Sequence, residues 1–109
     1  ARSLKIAEVK GEGIMEVFSL RADSAGFSLL IRSDGKNQYG GSFADFLVSS
    51  EARPDITALN RGSGDYPFWL VFAPLKFKTS FLAGVLASGV TFEEIAVKFI
   101  LRTKIKDEE

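Results

Sequence analysis

At 109 residues, with fourteen basic and fourteen acidic side chains, the chain has the length of one domain and no net charge, which disfavours nucleic-acid binding through whole-domain positive charge. It contains neither cysteine nor histidine, so disulfide frameworks, thiolate metal sites, thiol nucleophiles and every histidine-based triad are excluded. Hydrophobic residues make up 46%, enough for a core without metal or covalent staples, and no apolar run approaches the ~20 residues of a membrane-spanning helix.

The chain reads as short apolar runs punctuated by turn residues, the pattern of a mainly β protein. Leu4, Ile6 and Val9 form a first run that stops at Gly11-Glu12-Gly13. Ile14 to Leu20 is a second, ended by Asp23-Ser24-Ala25-Gly26. Phe27, Leu29 and Ile31 then alternate with Ser28, Leu30 and Arg32, giving one apolar face at period two. Asp34-Gly35 closes this strand with a hairpin signal. After Gln38-Tyr39-Gly40-Gly41, Ser42 is placed to cap a helix of one or two turns, with Asp45 near its N-terminus. Phe43, Phe46 and Leu47 share one face of that helix, which is expected to plug one end of a sandwich. Residues 49–54 read as loop, Ile56 to Leu59 as a short strand, and Asn60 to Asp65 as a loop or hairpin tip.

Tyr66 to Ala73 is the densest apolar stretch. Phe68, Leu70 and Phe72 point one way and Trp69 and Val71 the other, so the strand is covered on both faces or lies at a subunit contact. Pro67 and Pro74 bracket it, where a missing N–H does least harm. Phe77 to Ala87 reads as a further run, with a turn at Gly89. Thr91 to Ile105 fits two periods. As a helix, Phe92, Ile95, Ala96, Phe99 and Ile100 share a face behind a Thr91–Glu94 capping box; as a strand, Ile95, Val97, Phe99 and Leu101 alternate. The β-branched and aromatic content favours the strand. The charged tail at 104–109 is expected to fray.

Little here points to chemistry. Glu93 and Glu94 are adjacent, which in a strand sends them to opposite faces and makes them poor acid–base partners. Asp23, Asp34 and Asp65 would form a calcium site only if their loops met at one end, and no EF-hand spacing is present. The recurrence of aspartate at 23, 34, 45, 55 and 65 matches the length of strand-plus-turn units, in which Asp favours the turn. Gly11-Glu12-Gly13 lacks the third glycine, lysine and following helix of a phosphate loop and reads as a strand-edge turn. Lys76 and Lys78 flank Phe77, either as a solvated face with the ring inward or as a basic–aromatic patch for single-stranded nucleic acid. Most of the ten Phe belong in the core. Tyr66 and Trp69 are the aromatics to watch: the core is the first expectation for Trp69, an anchor of a subunit contact the second and a platform for a sugar ring the third.

Several segments resemble small β-sandwich virion, tail or decoration proteins of bacterial and archaeal viruses. The likeness covers Lys10-Gly11-Glu12-Gly13-Ile14, then Phe27-Ser28-Leu29-Leu30-Ile31-Arg32-Ser33-Asp34-Gly35, then Phe77-Lys78-Thr79-Ser80-Phe81, and ends in Val97-Lys98-Phe99-Ile100-Leu101. The resemblance implies a symmetric homo-oligomer that meets other virion proteins, with no catalytic residue, metal or cofactor. The same pattern is similar to subunits of extracellular β filaments.

The sequence thus leads to one domain over 1–109, a two-sheet antiparallel β-sandwich of jelly-roll type with at most one short helix. The expected function is non-enzymatic self-assembly in a virion, with Tyr66, Trp69 and Val71 at the subunit contact. A carbohydrate-binding or adhesin module at the cell surface is the alternative.

Overall fold

The computed structural model describes residues 2–102. Its elements are β1 (Arg2–Lys10), β2 (Gly13–Ala22), β3 (Phe27–Ser33), β4 (Lys36–Ser42), α1 (Phe43–Ser49), β5 (Ile56–Asn60), β6 (Phe68–Phe72), β7 (Leu75–Phe77), β8 (Ser80–Ala87) and β9 (Phe92–Leu101). They form the expected two-sheet antiparallel β-sandwich with one short helix. One sheet runs β1-β8-β3-β4. In the other, β2 pairs with β9 along one edge, while its other edge is shared by β7 at Gly13–Met15 and β6 at Phe18–Ala22, with β5 beyond β6. The chain crosses between sheets at β1/β2, β2/β3, β4/β5, β7/β8 and β8/β9, while β3/β4, β5/β6 and β6/β7 stay within one sheet.

Three irregular spacings in the sequence become bulges. Leu4 and Val9 are five residues apart, yet their register partners Val85 and Phe81 are both buried, because β1 slips by one residue between Lys5 and Ala7. Met15 and Phe18 both face the core because β2 carries an extra residue at Glu16 against β9. In β9 the slip falls at Glu93, so Phe92 sits opposite Ala22 and Ile95 opposite Leu20. That three-residue step is the spacing that also matched a helix; the strand reading holds over Phe92–Leu101, and residues 103–105 lie outside the described part. The tail at 104–109 likewise lies outside it.

The core is one cluster, largely aromatic. Phe72 is packed against Phe18, Tyr39 and Phe46 with centroids 5.5, 4.6 and 5.4 Å away. Phe77, Phe81 and Phe99 form a second group at one end. Phe27 meets Phe43 and Phe92, and Phe43 meets Phe68, at the other.

The structure adds one strand to the sequence reading and corrects others of its expectations. Lys36–Ser42 is a strand, although only Tyr39 in it is buried and Tyr39 is the one β-former in its Lys-Asn-Gln-Tyr-Gly-Gly-Ser sequence. The run from Phe77 to Ala87 is divided at Lys78-Thr79, where the chain crosses sheets. Leu47 does not share the buried face of α1; it is 37% exposed while Phe43 and Phe46 are buried. The capping box on α1 is present as read, Ser42 Oγ accepting from the Asp45 N–H and Asp45 accepting from the Ser42 N–H.

The helix joins β4 to β5, the edge strands of the two sheets, and so covers one side of the sandwich instead of an end. The other side is bounded by β1 and β9, whose only strand partners among the described residues are β8 and β2.

Candidate functional site

The aspartates are distributed, not gathered. Asp23 and Asp34 sit at opposite ends of β3, so the loops do not converge, and no group of three or more Asp or Glu with metal-ligand spacing occurs among the described residues. Three of the five hold turns or caps. Asp23 accepts from the Thr91 N–H at 2.8 Å and so ties the β2/β3 turn to the start of β9. Asp45 caps α1. Asp34 and Gly35 form the two-residue β3–β4 turn, both with positive φ (57° and 78°), the pattern of a type I′ hairpin. Asp34 Oδ1 then accepts from the N–H groups of Lys78, Thr79 and Ser80 at 2.8, 2.6 and 3.3 Å and from Thr79 Oγ1 at 3.0 Å. These donors, the Thr79 N–H foremost, hold its carboxyl below the usual carboxylate range.

Asp55 is held low by its hydrogen bonds from the Arg53 guanidinium (3.0 and 2.7 Å) and then from Tyr39 Oη (2.7 Å). Burial, reinforced by this hydrogen bond, pushes the Tyr39 phenol up to about 12. The network links β4 to the loop before β5, beneath α1. Each shifted carboxyl in these three places is thus engaged in a structural hydrogen bond.

Tyr66, Trp69 and Val71 lie where the alternation placed them. Phe68, Leu70 and Phe72 face inward or are buried, and Trp69 and Val71 stand on the outer face of the β5-β6-β2-β9 sheet. Tyr66 is in the loop before β6, and its carbonyl accepts from Trp69 Nε1 at 2.9 Å. Trp69 is half-buried, with the guanidinium carbons of Arg21 and Arg61 over its ring at 4.0 and 4.5 Å from the centroid. Arg21, Arg61, Tyr66, Trp69 and Glu93 line a hollow of about 400 Å³. Val71 lies one cross-strand row away, opposite Thr57 and Ser19. Sequence reasoning found the face but not the arginines that occupy it; Arg21 and Arg61 lie far from Trp69 in sequence or across a loop, and only the register brings them there. Phe77 is buried, with Lys76 and Lys78 exposed on either side.

Two further surfaces are visible only in the fold. On the outer face of the β1-β8-β3-β4 sheet, Gly84 and Gly40 flank Leu30 in one cross-strand row. Without side chains there, the surface dips into an apolar trough of about 540 Å³ edged by Leu4, Leu30, Leu82 and Leu86. Between β1 and β9 the sandwich gapes. A cleft of about 540 Å³ lined by Leu4, Val85, Ala87, Val90 and Phe92 opens there, and Leu4, opposite the buried Val85, is 54% exposed. Among the described residues no helix is long and apolar enough to cross a membrane.

Comparison of the chain with models of known protein families, with curated proteins and with solved structures finds no match.

Proposed function

We propose that this protein is a non-enzymatic assembly unit, a virion component of phage type, that self-associates through its β-sandwich. The observation that carries the reading is the open side. Two strands of nine and ten residues, β1 and β9, end their sheets with no covering element among the described residues. Long open edges are templates for pairing with another chain, which monomeric proteins usually blunt or cover. The exposed leucines around the trough and cleft add apolar area of the kind found at subunit contacts. The virion setting rests on the likeness of the four segments quoted above, and self-pairing edges serve an extracellular β filament equally well. Tyr66, Trp69 and Val71, with Leu59 opposite Trp69 and 49% exposed, form a second contact surface. A sugar-binding module draws less support, since the Trp69 ring that would stack on a sugar lies under two guanidinium groups.

Native mass by light scattering during size-exclusion chromatography, with negative-stain imaging of the same fractions, tests this reading. A defined oligomer of the 11.9 kDa chain is expected. A monomer at every loading concentration overturns it. Within an oligomer, an unchanged mass for Trp69→Ala removes the second surface from the contact.

A further inference from the structure

Resting on the self-association just proposed, we infer that β9 pairs with β9 of a second copy, antiparallel, about a two-fold axis at Ala96. The backbone supplies the first argument. Arg102 donates its N–H to Glu12 O across the continuation of the β2–β9 ladder. Alternate residues of a strand direct their N–H and C=O groups to opposite edges. Ile100, Lys98, Ala96 and Glu94 therefore face β2, and Leu101, Phe99, Val97 and Ile95 present their backbone groups at the open edge. From Glu94 to Leu101 β9 has no bulge of its own, the slip at Glu93 lying outside this stretch. The edge is straight over eight residues.

Charge fixes the register. Glu94 and Lys98 stand on the outer face, opposite Arg21 and Val17 of β2. A continued sheet must pair outward residues with outward residues, so the registers differ by steps of two. Aligning Glu94 with Glu94 or Lys98 with Lys98 sets like charges together, and centring on Ile95 or Val97 leaves neither charge opposite the other. Placing Ala96 on the axis sets Glu94 of each copy against Lys98 of the other, twice by symmetry, and pairs residues 94–98 of both copies, clear of the bulge at Glu93. Ile95 and Val97 then face each other as the pair that exchanges backbone hydrogen bonds, and Glu94 and Lys98 fall in the closer non-hydrogen-bonded pair. Such a contact is isologous and closes at two copies.

The test is native mass for the full chain and three variants, with circular dichroism melting to confirm folding. Glu94→Lys and Lys98→Glu each place like charges across the axis and are expected to lower the native mass, to the single chain where the parent is a dimer and to half or less where it is a multiple of dimers. The double exchange restores both cross-axis pairs, although it sets like charges against Arg21 within the chain and against Glu16, which Lys98 reaches at 3.3 Å. Recovery of the parent mass in the double variant, despite those internal repulsions, is the expected result. A parent that is monomeric overturns both this inference and the self-association beneath it. An oligomeric parent whose mass ignores the single changes overturns the β9 register alone, as does a folded double variant that stays monomeric. If the double variant does not fold, Val97→Pro decides. It removes an N–H at the open edge without removing one from the β2 ladder, and a folded Val97→Pro chain with the parent mass overturns the inference.

Discussion

The two sides of the sandwich are built on different terms. On the β4/β5 side, α1 bridges the sheets, Phe43 and Phe46 fill the gap beneath it, and the Tyr39–Asp55–Arg53 network ties the strand to the loop. On the β1/β9 side no element bridges the sheets among the described residues, and Leu4 remains half in solvent. The difference teaches that the chain has the means to close a sandwich and uses them once. The same two sheets therefore present one finished flank and one that no element among the described residues covers.

Substitutions on the two flanks should separate widely. Phe72→Ala, at the meeting point of Phe18, Tyr39 and Phe46, is expected to cost ~3–5 kcal/mol in chemical denaturation. Leu4→Ala on the open flank should stay within ~0.5 kcal/mol for an isolated chain. A larger Leu4 effect that grows with protein concentration would mean that a second copy covers this flank, and so sharpens the comparison. Tyr39→Phe, which leaves Asp55 its arginine but removes the phenol hydrogen bond, should cost ~1–2 kcal/mol. Ser42→Ala removes the helix cap and should cost ~1 kcal/mol, read from the same denaturation curves; no loss would mean that α1 is held by Phe43 and Phe46 alone.

The pH response is expected to be the smallest effect and the most asymmetric. Asp34, Asp45 and Asp55 are all held below the ordinary carboxylate range by hydrogen bonds made only in the fold. Their contribution is in place above the unfolded value of ~4 and is lost as pH falls through their lower folded values. The Tyr39 phenol is raised to about 12, so its contribution is in place below its unfolded value of ~10 and is lost as pH rises from there toward 12. Melting temperature should therefore be flat between these limits and fall at both. Asp55→Asn should blunt the acid limb, whereas Leu4→Ala should leave both limbs in place. An unchanged acid limb in Asp55→Asn would detach the closed flank from the pH response.

What the sequence made legible follows the local signals. Period-two alternation located β3 and β6 and told inward Phe68, Leu70 and Phe72 from outward Trp69 and Val71. Ser42 and Asp45 announced α1, and Asp34-Gly35 the hairpin. The part that was not legible depends on partners distant in the chain. Lys36–Ser42 is a strand because β3 supplies its ladder through a fixed two-residue turn, not because of its own side chains. The division at Lys78-Thr79 is enforced by Asp34. The face around Trp69 was readable as apolar, while its exposure, its arginines and the open flank became visible only with strand order.

The grip of Asp34 on Lys78, Thr79 and Ser80 spans 44 to 46 positions of chain. A tight hairpin closes in microseconds from local contacts alone, whereas ordering a distant segment must first overcome loop-closure entropy. The β3–β4 turn is therefore expected to form early and to offer a ready-made acceptor to the crossing at Lys78-Thr79. Replacing Asp34 should slow refolding more than it speeds unfolding, so that in stopped-flow measurements the folding arm of the chevron carries most of the change. A single turn residue would then set the pace at which the second half of the chain finds its sheet.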